Sequence, residues 1–286
     1  MSRYAVLGSP VAHSKSPIIH SMFAKQTEQD VQYEAIQVEA NEFDSFVLNF
    51  FASGGQGLNI TVPHKERAFA LASKLEPRAA RAGAVNTLFQ NNAKELCGDN
   101  TDGPGLVRDL KANHGISILG KNVLIVGAGG AARGALASLV EAKPGTITIV
   151  NRTLKNANVL QQAFVNEFDI SVAEFDTLEG NFDLIINGTS LSLDDEIPPL
   201  SSSHLSKSCC CYDMMYKNED TSFVQWAKKN GAIMAVDGLG MLVEQAAESF
   251  FCWRGVRPET GSVITHLKNQ KEPYLPIGGS ENRLLN

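Results

Sequence analysis

The fold is decided by residues 122–132, which read NVLIVGAGGAA. The branched apolar run predicts a buried strand, and the residues from Ala131 onwards predict a helix. Gly127 permits the tight turn between them, Gly129 lets the backbone approach a pyrophosphate, and small Ala132 allows close packing of helix on strand. The free N–H groups at such a helix start hold phosphates. A dinucleotide is therefore predicted to bind at Gly127, Ala128, Gly129, Gly130 and Ala131.

The end of the next strand distinguishes between the two nicotinamide dinucleotides. Sites for NAD usually carry a carboxylate there, which accepts a hydrogen bond from the ribose 2′-hydroxyl. This chain instead has Asn151, Arg152 and Thr153, followed closely by Lys155. No carboxylate repels a 2′-phosphate at this place, and the planar guanidinium of Arg152 suits one. The predicted cofactor is NADP, bound in part by Asn151, Arg152 and Thr153.

Composition excludes several classes of protein. The chain has 286 residues, of which 43% are apolar and 20% charged, so it is globular and long enough for two domains. A net charge of −6 argues against nucleic-acid binding. The sequence contains no run of about 20 apolar residues that would predict a membrane span, and the start, MSRYAVLGSP, does not resemble a signal peptide. Its five cysteines lack zinc-site spacing. We expect no metal and a cytoplasmic location.

The alternation of short β-rich runs with helical stretches predicts an α/β fold of two domains, each with a mainly parallel sheet. Residues 104–238 are expected to form a Rossmann-type, doubly wound NADP domain of six strands, of which five are located at 122–126, 146–150, 183–187, 209–213 and 232–236. Residues 1–103 are expected to form an N-terminal α/β substrate domain, completed by C-terminal helices within 239–271. Residues 272–286 are expected to form a loosely ordered tail.

Several element boundaries in the first half follow from single residues. Asn41 is expected to cap a helix over 41–53, and Pro63 to start another helix at a favoured first-turn position. Lys65 then lies in the first turn of that helix. Residues 101–113 are expected to be helical.

Polar side chains in this half cluster where strands are expected to end. They lie in the segments SPVAHSKSP (9–17), LNITVPHK (58–65), GAVNT (83–87) and GDNTDG (98–103). Because ligands of open α/β sheets bind outside the carboxyl ends of strands, these groups are expected to converge on one cleft facing the nicotinamide. Taken singly, a lysine in the first turn of a helix, such as Lys65, is usually solvated, and Asp102 is typical of a helix cap. Asn59 and Asn86 are also typical of turns.

Together these segments closely resemble the shikimate dehydrogenase family. The resemblance extends through the GAGGAA turn, NRT (151–153), NGTS (187–190), DMMY (213–216) and DGLGMLVEQAA (237–247). It covers roughly residues 4–258, in the family's order and spacing. It implies an enzyme that reduces 3-dehydroshikimate to shikimate with NADPH, in aromatic amino-acid biosynthesis.

The resemblance also implies roles for individual residues. Lys65 and Asp102 would form the catalytic pair, and Ser14 and Ser16, assisted by Tyr216, would hold the substrate carboxylate. The remaining substrate-binding residues, for the ring hydroxyls and the reacting oxygen, would be Asn59, Thr61, Asn86, Thr101, Asp102 and Gln245. Near the nicotinamide the resemblance places Met214 and Gly238.

Elementary chemistry agrees with the proposed catalytic pair. Hydride arrival at a ketone carbon creates an alkoxide, so a proton donor must be within reach. The ammonium group of Lys65 can stabilise that charge and deliver the proton, while Asp102 orients it. In the reverse direction neutral Lys65 acts as base. The two neighbouring histidines, His13 and His64, are interpreted as scaffold or rim residues.

Two departures from the family pattern and two alternative functions remain. Asn156 stands where many members carry an arginine that stacks on adenine, and LSLDD (191–195) replaces a glycine-containing loop near the cofactor. One alternative is a quinate/shikimate dehydrogenase with broader substrate range and NAD use, against which Asn151 and Arg152 argue. The other is a non-catalytic NADP-sensing regulator. The expected partner is a small-molecule substrate, and the chain is expected to be a monomer or homodimer.

Overall fold

Two six-stranded sheets organise residues 1–270, the part of the chain that this computed structural model describes. Helices cover both sheets, as the alternating pattern predicts, so the α/β class with two sheets is confirmed. The predicted tail at 272–286 lies outside the described residues. Among residues 1–270, no helix has both the length and the apolar character needed to cross a membrane.

The first sheet has the strand order β2-β1-β3-β5-β6-β4. Its strands are β1 (Ser2–Gly8), β2 (Val31–Gln37), β3 (Gly57–Ile60), β4 (Lys74–Leu75), β5 (Thr87–Gln90) and β6 (Leu96–Asp99). Strand β1 is parallel to both β2 and β3, and β4 is parallel to β6. Strand β5 forms an antiparallel hairpin with β6 and is also antiparallel to β3. As a consequence, β3 and β6 run in the same direction. The short β4 has no signal in the sequence pattern.

The helices of this half are α1 (Ser16–Gln26), α2 (Phe43–Ala52), α3 (Lys65–Leu71), α4 (Pro77–Ala82) and α5 (Asp102–Arg108). Two predicted starts are wrong. Helix α2 is preceded by Glu42 at its cap position and has no side-chain cap bond, so Asn41 does not cap it. Helix α3 begins at Lys65, because Pro63 lies in the turn before the helix. Helix α2 packs Phe43 and Val47 against Leu58 of the sheet.

The second sheet is entirely parallel, with the order β12-β11-β10-β7-β8-β9. Its strands are β7 (Asn122–Val126), β8 (Thr146–Val150), β9 (Ile170–Ala173), β10 (Phe182–Asn187), β11 (Leu205–Asp213) and β12 (Met234–Val236). Its helices are α6 (Gly130–Glu141), α7 (Leu154–Ala163) and α8 (Ser222–Lys229). Successive residues of β7 are buried on opposite faces, which explains its uninterrupted apolar sequence. Three bounds differ from expectation, since β10 begins one residue before 183, β11 begins earlier than residue 209, and β12 begins later than residue 232.

The helix expected over 101–113 is not uniform. Helix α5 ends at Arg108, and residues Asp109–Asn113 form a π-helical turn. The Asp109 side chain is fully buried and accepts a hydrogen bond from the Tyr212 hydroxyl at 2.6 Å. Gly240 provides the space, because a Cβ there would collide with the Asp109 carboxylate. The wider turn is thus associated with a buried polar contact that sequence periodicity does not reveal.

The last two helices, α9 (Leu239–Arg254) and α10 (Gly261–Asn269), return to the first sheet. Val243 and Phe250 of α9 form one apolar cluster with Ile19 and Phe23 of α1. Helices α1 and α9 therefore cover the face of the first sheet opposite to α2. This arrangement brings side chains of α9 to the ends of β3 and β5.

Candidate active site

A lysine and an aspartate from separate helices meet at one edge of the first sheet. Lys65 is the first residue of α3, which follows β3, and Asp102 is the first residue of α5, which follows β6. Since β3 and β6 run in the same direction, both helices begin at the same edge. Lys65 Nζ lies 2.5 Å from Asp102 Oδ2, with side-chain exposures of 21% and 9%. Because this pair is largely shielded from water but still partly exposed to a ligand, it is suited to proton transfer.

Hydrogen bonds fix the Asp102 carboxylate on both oxygens. Asn86 donates from Nδ2 to Asp102 Oδ1 at 2.8 Å, which leaves Oδ2 to Lys65. The backbone N–H of Asp102 donates to Asn100 Oδ1 at 3.1 Å. Helix α6 lies close by, since a Cβ at Gly134 would be 3.1 Å from Asp102 Oδ2. The lysine–aspartate pair therefore lies beside the helix that opens at the glycine-rich turn.

A buried polar network continues from Asp102 into the first sheet. Asn86 accepts from the Thr101 backbone N–H at 2.8 Å and donates to Thr101 Oγ1 at 2.9 Å. Gln245 Oε1 lies 3.4 Å from both Asn86 Nδ2 and Thr101 Oγ1. Asn59 donates from Nδ2 to the Asn86 carbonyl at 3.2 Å. Five of the residues predicted for the substrate site thus form one connected group, namely Asn59, Asn86, Thr101, Asp102 and Gln245.

Sequence reasoning missed Ser249, which belongs to the same network. Its hydroxyl lies 2.9 Å from Asn59 Nδ2, 2.8 Å from Thr87 Oγ1 and 3.1 Å from Thr101 Oγ1. The available signal was its position, four residues after Gln245 and hence on the same face of a helix.

Of the three residues predicted to bind the substrate carboxylate, Ser14 and Ser16 contact each other. Ser16 is buried at the start of α1, and its backbone N–H donates to Ser14 Oγ at 3.3 Å. Tyr216 lines a cavity of about 390 Å³ together with Lys15, the residue between the two serines. Burial raises the pKa of Tyr216. Within residues 1–270, neither Thr61 nor Tyr216 makes a side-chain hydrogen bond to the Asn86 network, so their roles stay predictions.

The glycine-rich turn fits a dinucleotide diphosphate. Gly127 has a φ of +97°, a conformation that favours glycine, and a Cβ there would approach Thr189 to 2.9 Å. A Cβ at Gly129 or Gly130 would meet no heavy atom within 4 Å, so the space over the start of α6 is open. Helix α6 starts at Gly130, one residue earlier than expected. Its first N–H groups lack intrahelical partners and face this open space with the positive end of the helix dipole.

The residues after β8 fit a 2′-phosphate. Asn151 Nδ2 donates to the Thr153 carbonyl at 2.9 Å, which shapes the turn before α7. Arg152 is exposed and makes neither an ion pair nor a hydrogen bond with any residue in 1–270. An unpaired guanidinium at this strand end can receive an anion without first losing another partner. The chemistry of the donors thus agrees with NADP.

The nicotinamide end is expected where β10 and β11 finish. Met214 follows β11 and donates its backbone N–H to the Asn187 carbonyl at 2.9 Å. A Cβ at Gly238 would collide with the Met214 backbone, so the two residues predicted to lie near the nicotinamide are neighbours. The unusual loop after residue 190 contains a short 3₁₀ turn, Leu191–Asp194. The next residue, Asp195, forms an ion pair with Lys217, with 2.6 Å between Oδ1 and Nζ.

The two histidines near the site, interpreted as scaffold or rim residues, differ in burial. His64 is buried, its Nε2 lies 2.7 Å from the Val38 carbonyl, and its ring stacks on Phe43. His13 is exposed in the loop before α1. Within residues 1–270, neither ring forms a hydrogen bond or ion pair with Lys65 or Asp102.

A doubly wound sheet with an open glycine-rich turn, set beside a lysine–aspartate pair, defines a dehydrogenase that uses a nicotinamide dinucleotide. Three family models match the chain: the shikimate dehydrogenase substrate binding domain at residues 6–88, shikimate / quinate 5-dehydrogenase at 110–194, and the shikimate 5′-dehydrogenase C-terminal domain at 238–268. The chain belongs to the shikimate dehydrogenase family, which confirms the resemblance.

Similar proteins cover nearly the whole chain. The shikimate dehydrogenase (NADP(+)) of Alkalilimnicola ehrlichii is 55% identical over 93% of this chain and 98% of its own. That of Aeromonas hydrophila is 52% identical, over 94% and 98%. Among solved structures, shikimate 5-dehydrogenase from Thermus thermophilus, in complex with NADP(H) and shikimate, has a TM-score of 0.83. It is 32% identical, over 93% of this chain and 98% of the other.

Proposed function

We propose that this chain catalyses the NADPH-dependent, reversible reduction of 3-dehydroshikimate to shikimate, in the biosynthesis of aromatic amino acids. The observation that carries the proposal is the contact of 2.5 Å between Lys65 Nζ and Asp102 Oδ2, beside the start of α6. The family membership supports the substrate, and the guanidinium of Arg152, which has no partner among residues 1–270, supports the cofactor.

The proposed mechanism places proton transfer on Lys65. NADPH, when bound, supplies the hydride. As negative charge develops on the ketone oxygen of the substrate, the Lys65 ammonium stabilises it and donates a proton from Nζ. Asp102 holds Nζ in position, and Asn86 holds Asp102. In the direction of shikimate oxidation, neutral Lys65 accepts the proton of the substrate hydroxyl.

The substrate-binding roles are proposals as well. Ser14 and Ser16, with Tyr216, hold the carboxylate, because hydroxyls donate hydrogen bonds without adding a bulky countercharge. The ring hydroxyls and reacting oxygen are bound by Asn59, Thr61, Asn86, Thr101, Asp102 and Gln245. The hydrogen bonds among Asn86, Thr101 and Gln245 support this assignment, because such a network holds each donor and acceptor in a defined direction.

NADP is assigned to residues from both βα turns. The proposed contacts are Gly127, Ala128, Gly129, Gly130, Ala131, Asn151, Arg152, Thr153, Met214 and Gly238. We further propose the domain limits 1–103 and 104–238, with 239–271 completing the first domain. All five cysteines are free, which suits a reducing cytoplasm, and we propose a monomer or homodimer as the working assembly.

The test measures nicotinamide absorbance during oxidation of shikimate and of quinate, each with NADP and with NAD. The proposal predicts that shikimate with NADP has the highest kcat/KM. Lys65→Ala is expected to abolish measurable turnover, whereas Lys229→Ala, a change at the exposed end of α8, is expected to leave it intact. Preference for quinate or for NAD would identify the broader enzyme instead, and unchanged turnover in Lys65→Ala would remove Lys65 from the mechanism.

A further inference from the structure

One aromatic residue outside all the family motifs quoted above contacts the proposed substrate site. Tyr33 lies on β2, and its hydroxyl is 2.7 Å from Oδ1 of Asn59 on β3. Strand β1 separates these two strands, so the tyrosine side chain reaches across it. The register explains how, because Tyr33 pairs with Tyr4 and Tyr4 pairs with Gly57, two residues before Asn59. All four positions share one face of the sheet.

The direction of this hydrogen bond follows from its surroundings. Asn59 Nδ2 lies 3.2 Å from the Asn86 backbone carbonyl, which can only accept a hydrogen bond. Nδ2 also lies 2.9 Å from Ser249 Oγ and 3.2 Å from Thr87 Oγ1. The amide nitrogen therefore faces these acceptors, the amide oxygen faces Tyr33, and the Tyr33 hydroxyl donates.

This arrangement determines what Asn59 can offer a ligand. Both protons of Nδ2 are used inside the protein, and one lone pair of Oδ1 is used by Tyr33. The buried His20 ring lies near this amide, but neither of its nitrogens has a hydrogen-bond partner within residues 1–270. The remaining capacity of Asn59 is therefore a second lone pair on Oδ1, which accepts a hydrogen bond. Asn59 is thus suited to a ligand hydroxyl that donates, and unsuited to an ether or a carbonyl at the same place.

Neighbouring rings hold Tyr33 in position. The His20 ring stacks on it at a centroid distance of 4.1 Å and an interplanar angle of 7°. His20 is fully buried, and burial lowers its pKa to about 3, so the supporting ring is uncharged near neutrality. Burial likewise raises the pKa of Tyr33 well above its ordinary value, an effect that the nearby Ser16 side chain opposes. The hydroxyl therefore keeps its proton and borders the proposed carboxylate subsite as well.

We propose that Tyr33 is a positioning residue that fixes the Asn59 amide as an acceptor for one ring hydroxyl of a hydroxylated cyclohexene carboxylate. Its place beside Ser16 keeps this hydroxyl subsite at a set distance from the carboxylate subsite. The inference rests on the proposed function, since it concerns how that substrate is held. It adds a determinant of substrate binding that acts through Asn59 without needing to touch the reacting carbon.

The primary test compares Tyr33→Phe with Tyr4→Phe. Tyr4 occupies the paired position on the next strand, but its hydroxyl lies 3.5 Å from Arg254 and not beside Asn59. Tyr33→Phe is expected to raise KM for shikimate about five- to tenfold, because one hydrogen bond that orients Asn59 is lost. The value of kcat is expected to change less than about twofold. KM for NADP is expected to stay unchanged, and Tyr4→Phe is expected to alter neither constant.

Two further measurements separate positioning from general weakening of the fold. In an Asn59→Ala background, Tyr33→Phe is expected to change KM by less than about twofold, because its effect passes through Asn59. Shikimate analogues that each lack one ring hydroxyl provide the same comparison if that background does not fold. The analogue that lacks the hydroxyl bound by Asn59 is expected to bind equally well to wild type and to Tyr33→Phe.

Several outcomes would overturn the inference. These are an unchanged KM for shikimate in Tyr33→Phe, an equal effect of Tyr4→Phe, a parallel rise in KM for NADP, or the same penalty with every analogue. Wild-type turnover of shikimate alongside any of these results leaves the proposed function standing. A wild-type chain that does not oxidise shikimate overturns both proposals.

Discussion

Lys65 and Asp102, 37 positions apart in the chain, bring Nζ and Oδ2 to 2.5 Å at the edge where β3 and β6 both end. The contact depends on the single antiparallel strand between them, because β5 runs opposite to both neighbours and so makes those two parallel to each other. Each residue opens a helix at this edge, which brings the two side chains together. The pair therefore depends on strand direction as much as on the identity of its two residues.

Asp102→Asn is expected to lower kcat about 100- to 1,000-fold, the scale of a general acid–base contribution. The neutral amide can still accept a hydrogen bond but no longer balances the Lys65 charge. KM for NADP is expected to stay near its wild-type value. The matched control is Asp220→Asn, which breaks an exposed lysine–aspartate pair and is expected to leave steady-state rates unaltered.

Arg152→Ala is expected to raise KM for NADP about 10- to 100-fold while leaving KM for NAD unchanged. The physical reason is the loss of a charge-assisted hydrogen bond to the 2′-phosphate, a group that NAD lacks. Lys207→Ala, which removes an exposed cation on β11, serves as the control. Equal losses with both cofactors would show that Arg152 supports the turn and does not recognise the phosphate.

Glu248 predicts a pH-dependent contribution to stability. Burial acts to raise its pKa, but the hydrogen bond from Arg257 and the charge of Arg78 outweigh burial, and the pKa is lowered in the folded state. A carboxylate whose pKa is lowered in the folded state stabilises the protein at pH values above its unfolded pKa of about 4.5. That contribution is lost as the pH falls through the folded pKa.

Glu248→Gln is therefore expected to lower the free energy of unfolding by about 2 kcal/mol at pH 7, where two arginines lose a charged partner. The difference from wild type is expected to shrink as pH falls below about 4.5. Urea unfolding at pH 7 and at pH 4 measures both values. A difference that stays constant with pH would assign the effect to packing.

Gly240→Ala is expected to destabilise the fold by about 3 kcal/mol or prevent folding, because the new Cβ collides with the buried Asp109 carboxylate. The control is Gly261→Ala at the start of α10, where a Cβ meets no heavy atom within 4 Å. That change is expected to be neutral or slightly stabilising. Thermal unfolding of the two variants beside wild type makes the comparison.

Part of the site could be predicted because its signals are local. The run NVLIVGAGGAA contains its strand, turn and helix start within eleven neighbouring residues, and Arg152 follows directly from the end of the next strand. Tyr33 and Ser249 could not be found this way. Their importance comes from contacts with Asn59 that bridge 26 and 190 positions of the chain.

The same distinction explains the errors in the fold. Asn41 has the right residue type for a helix cap, but the helix starts two residues later and no side-chain cap bond forms. The π-helical turn at Asp109–Asn113 accompanies a buried hydrogen bond to Tyr212, which is 103 positions away. No periodicity within a short window contains that information.

The amino-acid sequence alone predicted the α/β class, the dinucleotide turn and NADP as the cofactor, because these predictions depend on side-chain periodicity and on residues adjacent along the chain. The family resemblance implied the pairing of Lys65 with Asp102, but only the tertiary structure showed how they meet, that Asn86 holds Asp102, and that Tyr33 holds Asn59. Such contacts depend on strand order, strand direction and register, which are set by how distant segments bury their apolar faces together.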